Sequence, residues 1–505
     1  MDKKYLSFPL YFNTTIMLLL AVTLCFLPFF SIISQVHQIA QAGEEIPPFV
    51  FKWHQALSKD FEQWAVERVE SGRAGNLSTT NISGTEWPMF SSVFFLWSSE
   101  ALQDAWLANP DIFDTAPAEY GRGAFKAAVE LITDPNHAHW VKVHWGSDYL
   151  SRENLFYRML LIHGLTSYQK LTGDDEFESM LRQQVETLAD EIDSSPYGLL
   201  DDYPGQCYPV DVVPAIAAIQ RADLVLGSDH SEMFTRAVRG FQGNFADPLT
   251  GLPTYFADLR IGQGIGSSRG IGGAYMLTWS PELWPDSNTE WYERFLEHFW
   301  QQDRLLAGFR EYPKESHYPE WFFFDVDAGP VLAGYGTAAS AFGIGAARAN
   351  GDLARAYPLS AEALVASWPL LDQTRLSARL LSNLSDAPYT GETALLFVFT
   401  RTPVSGTTTT IDGRLPFIYY IGLAVYLAAG IFLSVGAWLR IKRWPATRQD
   451  FKPGELLSQF NLWAFLLVCG GAALAFAPSV GVIVLGLSLA FPSPRLMHRS
   501  PEDPA

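Results

Sequence analysis

Cysteine is scarce: the 505-residue chain contains three, Cys25, Cys207 and Cys469. The first and last fall in hydrophobic runs, so Cys207 stands alone in the long central region and no internal disulfide can brace it. Basic residues are also outnumbered, with 35 Lys and Arg against 54 Asp and Glu and a net charge of −19. Their only cluster is Arg440, Lys442, Arg443, Arg448 and Lys452. A chain with this balance and no other basic patch excludes nucleic acid as a partner, and the cluster reads as a membrane-topology signal. A nucleotide-binding glycine loop between strand and helix is missing too. The glycines around Arg269, at Gly264, Gly266, Gly270 and Gly272, lack that context.

Hydrophobic residues are concentrated partly at the two ends. Leu10 to Ile33 runs for 24 residues without a charge after Lys3 and Lys4, longer than the apolar core of a cleaved signal peptide, and reads as a signal anchor or spanning helix. Leu415 to Leu439 is a second uncharged run, followed directly by the basic cluster. The positive-inside rule then places the region between them outside the cytoplasm. The expected division is an N-terminal membrane anchor (1–39), an extracytoplasmic domain (40–412), a transmembrane helix (413–440), a basic cytoplasmic loop (441–455), a C-terminal membrane segment (456–492) and a tail (493–505). The 456–492 segment is broken near Ala477-Pro478-Ser479 and reads as a helical hairpin, with one kinked span as the rival.

Between the membrane segments one unit recurs, in which an apolar helix, a short polar turn and a more amphipathic helix follow each other. The turns are Asn109-Pro110-Asp111, Gly173-Asp174, Gly227-Ser228-Asp229, Asp286-Ser287-Asn288 and Gly351-Asp352. Gly or Asn ends one helix and Asp or Ser caps the next. Five such hairpins, with a sixth from Glu392–Arg401 and the early Phe51–Val69 helix, predict an all-α domain closed as an (α/α)6 toroid, with an open α-solenoid as the rival. Inner helices are expected to begin near Trp87, Glu153, Asp211, Arg269 and Asp327, and outer ones near Asp111, Asp174, Asp229, Asn288 and Asp352. The remaining connections, 71–88, 134–152, 194–210, 246–270 and 308–328, are long and rich in Gly, Pro, aromatics and acids. In a toroid they share one face, and loops of that length inside a compact domain are usually functional. The Gly-rich stretch Ala328–Ala349 is expected to be a closely packed inner helix.

The residues gathered at those loops suggest acid–base chemistry. Asp201 and Asp202 beside Tyr203 could supply a proton donor, a base or both, because neighbouring carboxyls push their pKa values apart; a helix cap or a solvated acid is the alternative. Cys207 could be an acid–base or covalent thiol, or inert packing. Tyr157 and His163 share a helix with the start pair Glu153-Asn154 and offer polar groups to the barrel interior. Asp211 and Tyr208 lie at the next helix start, where an acid is commonly an N-cap. Arg269 could hold an anionic group or satisfy a buried carboxylate. Asp325-Val326-Asp327 has a metal-binding spacing, but Asp327 sits where an N-cap is wanted, so no metal is expected. Trp87, Trp145, Trp279, Trp284, Trp321 and Tyr255 suit an isoprenoid or a sugar, or form core.

Several stretches in order carry a family resemblance: Glu153-Asn154-x-x-Tyr157, Tyr168-Gln169-x-Leu171-Thr172-Gly173, Pro196-Tyr197-Gly198-Leu199-Leu200 leading to Gln206-Cys207, Asp247-Pro248-Leu249-Thr250-Gly251, and the Gly-rich stretch ending at Gly351-Asp352. From His144 to about Asp352 the chain resembles the linalool dehydratase/isomerase domain family. The resemblance implies an extracytoplasmic (α/α)6 barrel that dehydrates and isomerises a terpene alcohol without a cofactor, using cysteines, a carboxylate, a tyrosine and a histidine. This chain departs from the pattern at telling places. The family's second active-site cysteine matches Cys207, but its first falls at Asp201 and its histidine at Leu160, one helical turn from His163; residues 60–90 hold no counterpart of its N-terminal aspartate. Linalool itself is therefore not the expected substrate.

The expected function is a membrane-anchored, cofactor-independent lyase or isomerase acting on an isoprenoid or lipid alcohol, with Asp201, Asp202, Cys207, His163 and Tyr157 in catalytic roles. Glu153, Asn154, Tyr203, Tyr208, Asp211, Tyr255, Arg269, Trp87, Trp321 and Asp327 would bind substrate, and a homo-oligomer fits this arrangement. The alternatives are a glycoside hydrolase or glycan lyase on the same barrel, or a non-catalytic envelope scaffold.

Overall fold

The computed structural model describes residues 7–316, 321–382, 386–449, 458, 460–469 and 484–489. The chain forms two compact units, residues 32–420 and residues 1–31 with 421–505. It is 67% helix and 7% strand, which rules out a sheet-based domain, and the strands among the described residues pair antiparallel.

Among the described residues, two helices are long and apolar enough to cross a membrane, Pro9–Ala42 with mean hydropathy 2.7 and Phe417–Lys442 with 2.0. By length and composition this suggests membrane association. The helix that begins at Phe417 continues to Gln449, so the basic residues through Arg448 extend a helix where a loop was expected. Arg and Lys propagate a helix well. Of the C-terminal segment 456–492, Phe460–Cys469 is an apolar helix; most of that segment and all of the tail 493–505 lie outside the described residues.

In the larger unit, six helices contact one another in a closed cycle. Trp87–Ala108 packs on Leu155–Thr172, which packs on Pro209–Leu226, then Gly270–Met276, Thr337–Ala349 and Thr390–Thr400, and the last returns to Trp87–Ala108. A second set lies against these: Pro48–Glu70 on Arg122–Thr133, Arg122–Thr133 on two of the six, Glu178–Ser194 on two, and Leu353–Ser367 on Thr337–Ala349. Local sequence sets the boundaries. Pro209 occupies a first-turn position whose N–H would be unpaired anyway, and the same helix ends at Gly227 with φ +67°. Gly173 ends the Leu155 helix in the same left-handed conformation, and the Asp352 carboxylate accepts from the Arg355 N–H at 3.1 Å to cap the next.

The stretch expected as one helix from Ala328 departs from that reading. Phe322–Asp325, Gly329–Leu332 and Tyr335–Gly336 form a three-stranded antiparallel sheet, and the helix starts only at Thr337. The backbone explains it: Gly329 and Gly334 have φ of +66° and +87°, Ala333 has +51°, and Pro330 lacks an N–H, so the chain turns twice where a helix would need continuous right-handed residues.

Aromatic rings fill the middle of the six-helix cycle. Trp97 lies with its centroid 4.3 Å from His163, 4.6 Å from Trp279 and 4.8 Å from Phe397. Phe94, one turn before Trp97, faces one cavity, while Trp97, Trp279 and Phe397 face another. Phe94, in contact with Trp97 and Phe397, joins this aromatic layer to the larger cavity.

Candidate functional site

The larger cavity has a volume of about 910 Å³ and a predominantly apolar wall. Phe90, Phe94, Phe156, Phe342 and Ile344 contribute from the helices, and Trp87, Tyr203, Tyr208, Tyr255 and Tyr275 add a partly polar side. Five carboxyl groups enter this wall, Glu86, Asp202, Asp211, Asp327 and Glu362, and among the described residues no Lys, Arg or His joins them.

Glu86 follows the short Ile82–Thr85 helix, whose first turn is fixed by Asn81 Oδ1 accepting from the Gly84 N–H at 3.1 Å. Glu86 is 8% exposed and accepts a hydrogen bond from the Tyr203 hydroxyl. Burial raises its pKa to about 7 against the opposing pull of that bond, with Asp327 adding to the rise.

Asp202 lies in a tight turn in which its N–H donates to the Gln206 carbonyl at 2.9 Å, and its Oδ2 accepts from the Tyr208 N–H at 2.8 Å. Its other oxygen, Oδ1, is buried with no hydrogen-bond partner among the described residues. Burial and the nearby Asp211 charge hold this acid well above the carboxylate range.

Asp211 stands in the first turn of the Pro209 helix, where the helix dipole favours the anion. Burial outweighs that effect and, with Asp327 and Glu86 repelling it, raises the group to about 7. Asp327 accepts from the Tyr255 hydroxyl at 2.7 Å. At another part of the wall Glu362 accepts from the Ala307 N–H at 2.8 Å and is raised by burial to about 7.

Several residues expected at the site are placed elsewhere. Asp201 is a turn residue: its Oδ2 accepts from the Gly205 N–H at 2.7 Å, and its neighbour Asp202 is the one that reaches the cavity. Glu153 supports the same turn by accepting from the Asp201 N–H at 3.2 Å. Cys207 is fully buried and pairs with Ala257 through the backbone, the Ala257 N–H donating to its carbonyl at 2.8 Å; burial and the surrounding acids push its thiol well up. His163 is packed between Trp97 and Trp279 with Nε2 2.9 Å from the Pro214 carbonyl, and burial keeps it neutral. Tyr157 packs edge-on against Tyr149 and Trp140.

Asn154 holds the αL position, φ 41°, before its helix, and its Nδ2 donates to the Tyr149 carbonyl at 3.3 Å. Arg269 pairs with the buried Glu311 at 2.7 Å and the half-buried Asp325 at 3.1 Å, and it lies over the Tyr255 ring at 4.6 Å. Trp321 is 72% exposed and outside the wall. Asp325 and Asp327 diverge: Asp325 accepts from the N–H groups of Asp327 and Ala328 and pairs with Arg269, while Asp327 faces the cavity. Among the described residues no group of three or more metal-ligating side chains forms.

Asp202, Tyr203, Tyr208, Asp211, Tyr255, Trp87 and Asp327 do converge on the cavity. Sequence reading passed over Glu86, Glu362, Tyr275 and Phe342. For Glu86 a signal existed, since it lies at the end of a long loop directly before Trp87-Pro88. Glu362, inside an ordinary amphipathic helix, gave none. Comparison with protein-family models finds no match for this chain, and comparison with curated proteins finds none either.

Proposed function

We propose that this chain is a membrane-associated enzyme that eliminates or shifts the hydroxyl group of an apolar alcohol, isoprenoid or lipid, by acid–base chemistry without a cofactor. The cycle of six helices with its second layer is read as an (α/α)6 toroid of the linalool dehydratase/isomerase kind, with the domain on the extracytoplasmic side. The observation that carries the reading is the convergence of Glu86 and Asp211 on one predominantly apolar cavity, where burial raises both to about 7. At neutral pH such a pair offers one protonated and one ionised carboxyl, which is what an elimination needs.

In the proposed cycle the protonated acid gives its proton to the substrate hydroxyl, the C–O bond breaks and water leaves. The ionised acid then removes a proton from the adjacent carbon, and those electrons form the C=C bond. The net change is loss of one water, and the two acids have exchanged protonation states. Asp327 and Glu86 repel Asp211 and help keep it high, and Tyr203 orients Glu86. The apolar wall suits a hydrocarbon body over a sugar, which needs hydrogen-bond partners along its length.

The test is direct. The purified full-length chain is incubated with a panel of terpene and longer-chain alcohols, and extracts are analysed for alkenes and transposed alcohols. Product formation that is lost in Asp211→Asn and Glu86→Gln supports the reading; a panel without product, or product formation unchanged in both variants, overturns it.

A further inference from the structure

The cavity's charge is one-sided. Five carboxyls reach its wall, and among the described residues no cationic side chain does. Arg269, which lies over the Tyr255 ring, is already committed to Glu311 and Asp325. Two of the five acids are served by phenols: Tyr203 donates to Glu86 and Tyr255 donates to Asp327. Glu362 is served by a backbone N–H. Asp202 is different: it is 1% exposed, yet its Oδ1 has no hydrogen-bond partner among the described residues. A buried carboxyl oxygen left without a partner is costly, so a ligand N–H that reaches it, and whose charge favours the ionised acid, is worth more there than it would be in water.

The groups around that oxygen fit one kind of donor. Asp211 adds a negative charge near it, which raises the cost of ionising Asp202. The rings of Tyr208 and Tyr255 lie 5.4 Å apart at 75°; Arg269 already covers one face of Tyr255, while Trp87, Tyr203 and Tyr208 present further aromatic surface in the same wall. Aromatic faces and carboxylates together attract an ammonium group, and the remaining wall of Phe and aliphatic side chains attracts a hydrocarbon.

We propose that this cavity selects an amphiphilic cation, a protonated amine with a hydrocarbon tail whose N–H groups bond Asp202 Oδ1 and Asp211. The proposal rests on the proposed function only in taking this cavity as the site, and it narrows the substrate class to apolar molecules that bear an ammonium group.

The experiment is a binding comparison on the full-length chain in nanodiscs of zwitterionic lipid at pH 8, with empty nanodiscs as the blank. The probes are octylammonium, 1-octanol and octanoate, which share a chain length and differ in head-group charge. The expected order is octylammonium first, by about tenfold over octanol, with octanoate weakest. In Asp202→Asn the octylammonium affinity falls by about tenfold while that of octanol holds, and in Asp211→Asn the preference for octylammonium over octanol falls by about tenfold. Thermal melts establish that each variant is folded, and either folded variant is sufficient for the comparison.

Octanol or octanoate binding as tightly as octylammonium overturns the proposal, as does an unchanged preference for octylammonium over octanol in the folded variants. Selective binding of the amine without turnover of any alcohol leaves this inference standing and removes the proposed reaction. Alcohol turnover without amine selectivity does the reverse.

Discussion

At the residue scale, the decisive feature is that burial, not a specific partner, raises the acids. Glu86 and Asp211 move from ordinary values of 4.5 and 3.8 to about 7 because the folded chain takes them out of water. A raised carboxyl favours the protonated form in the fold, so its contribution is present at low pH and is lost as pH rises from the unfolded value through the folded one. Folding stability should therefore decline between about pH 4 and 7 on account of these two groups. Asp211→Asn should raise the melting temperature at pH 8 by several degrees and leave it nearly unchanged at pH 4; equal shifts at both values would show that Asp211 is not buried as an acid. The same substitution should lower turnover by about 10²- to 10⁴-fold, because an amide keeps the shape but exchanges no proton. The pH–rate profile should be bell-shaped around neutrality, with apparent values that belong to the coupled acids jointly.

Cys207 gives a contrasting prediction: its raised thiol and full burial make it unreactive to an alkylating reagent at neutral pH until the chain is denatured, checked by peptide mapping. Rapid labelling of Cys207 in the folded chain would contradict the packing described above.

At the element scale, the helix ends were the legible part. Gly173, Gly227 and Asp352 announce their turns in the sequence because left-handed C-terminal residues and short-chain caps have few substitutes. The Ala328–Gly336 hairpin was not legible, because its alanines and glycines fit a tightly packed helix as well as a turn, and the choice is made by φ angles that only the surroundings impose. The site divides in the same way. Tyr203, Tyr208 and Asp211 could be placed at the cavity because they begin an inner helix. Asp201 and Asp202 could not be separated, since adjacent residues point to opposite sides of a turn and a one-residue choice decides which acid is structural. Packing at the neighbouring helix start is equally specific. A Cβ at Gly270 would run into the Arg310 carbonyl oxygen, which is backbone and cannot swing away. Gly270→Ala should cost about 2 kcal/mol or more, read as a lower melting temperature, whereas Gly173→Asn, at an open left-handed position, should change it little.

At the scale of the whole molecule, the two apolar helices and the charges beside them predict an orientation. Pro9–Ala42 follows Lys3 and Lys4, and Phe417–Lys442 leads into Arg443 and Arg448. Positive residues are retained on the cytoplasmic side because moving them across a bilayer against the membrane potential is costly, so a chain with basic groups at both outer ends should leave the cytoplasm after the first helix and return through the second. The region between them is strongly acidic and has no basic cluster to oppose export. A reporter active only outside the cytoplasm should therefore work when fused after Val404 and fail when fused after Arg448, and a cytoplasmic reporter should show the opposite pattern. Orientation also bears on the chemistry: an extracytoplasmic cavity meets the pH of the surroundings, so acids that titrate near 7 would make turnover respond to external pH. If the Val404 fusion reports from the cytoplasm, the orientation is reversed; Asp211 would then sit at a buffered pH, and that response would vanish in intact cells while persisting in the purified enzyme.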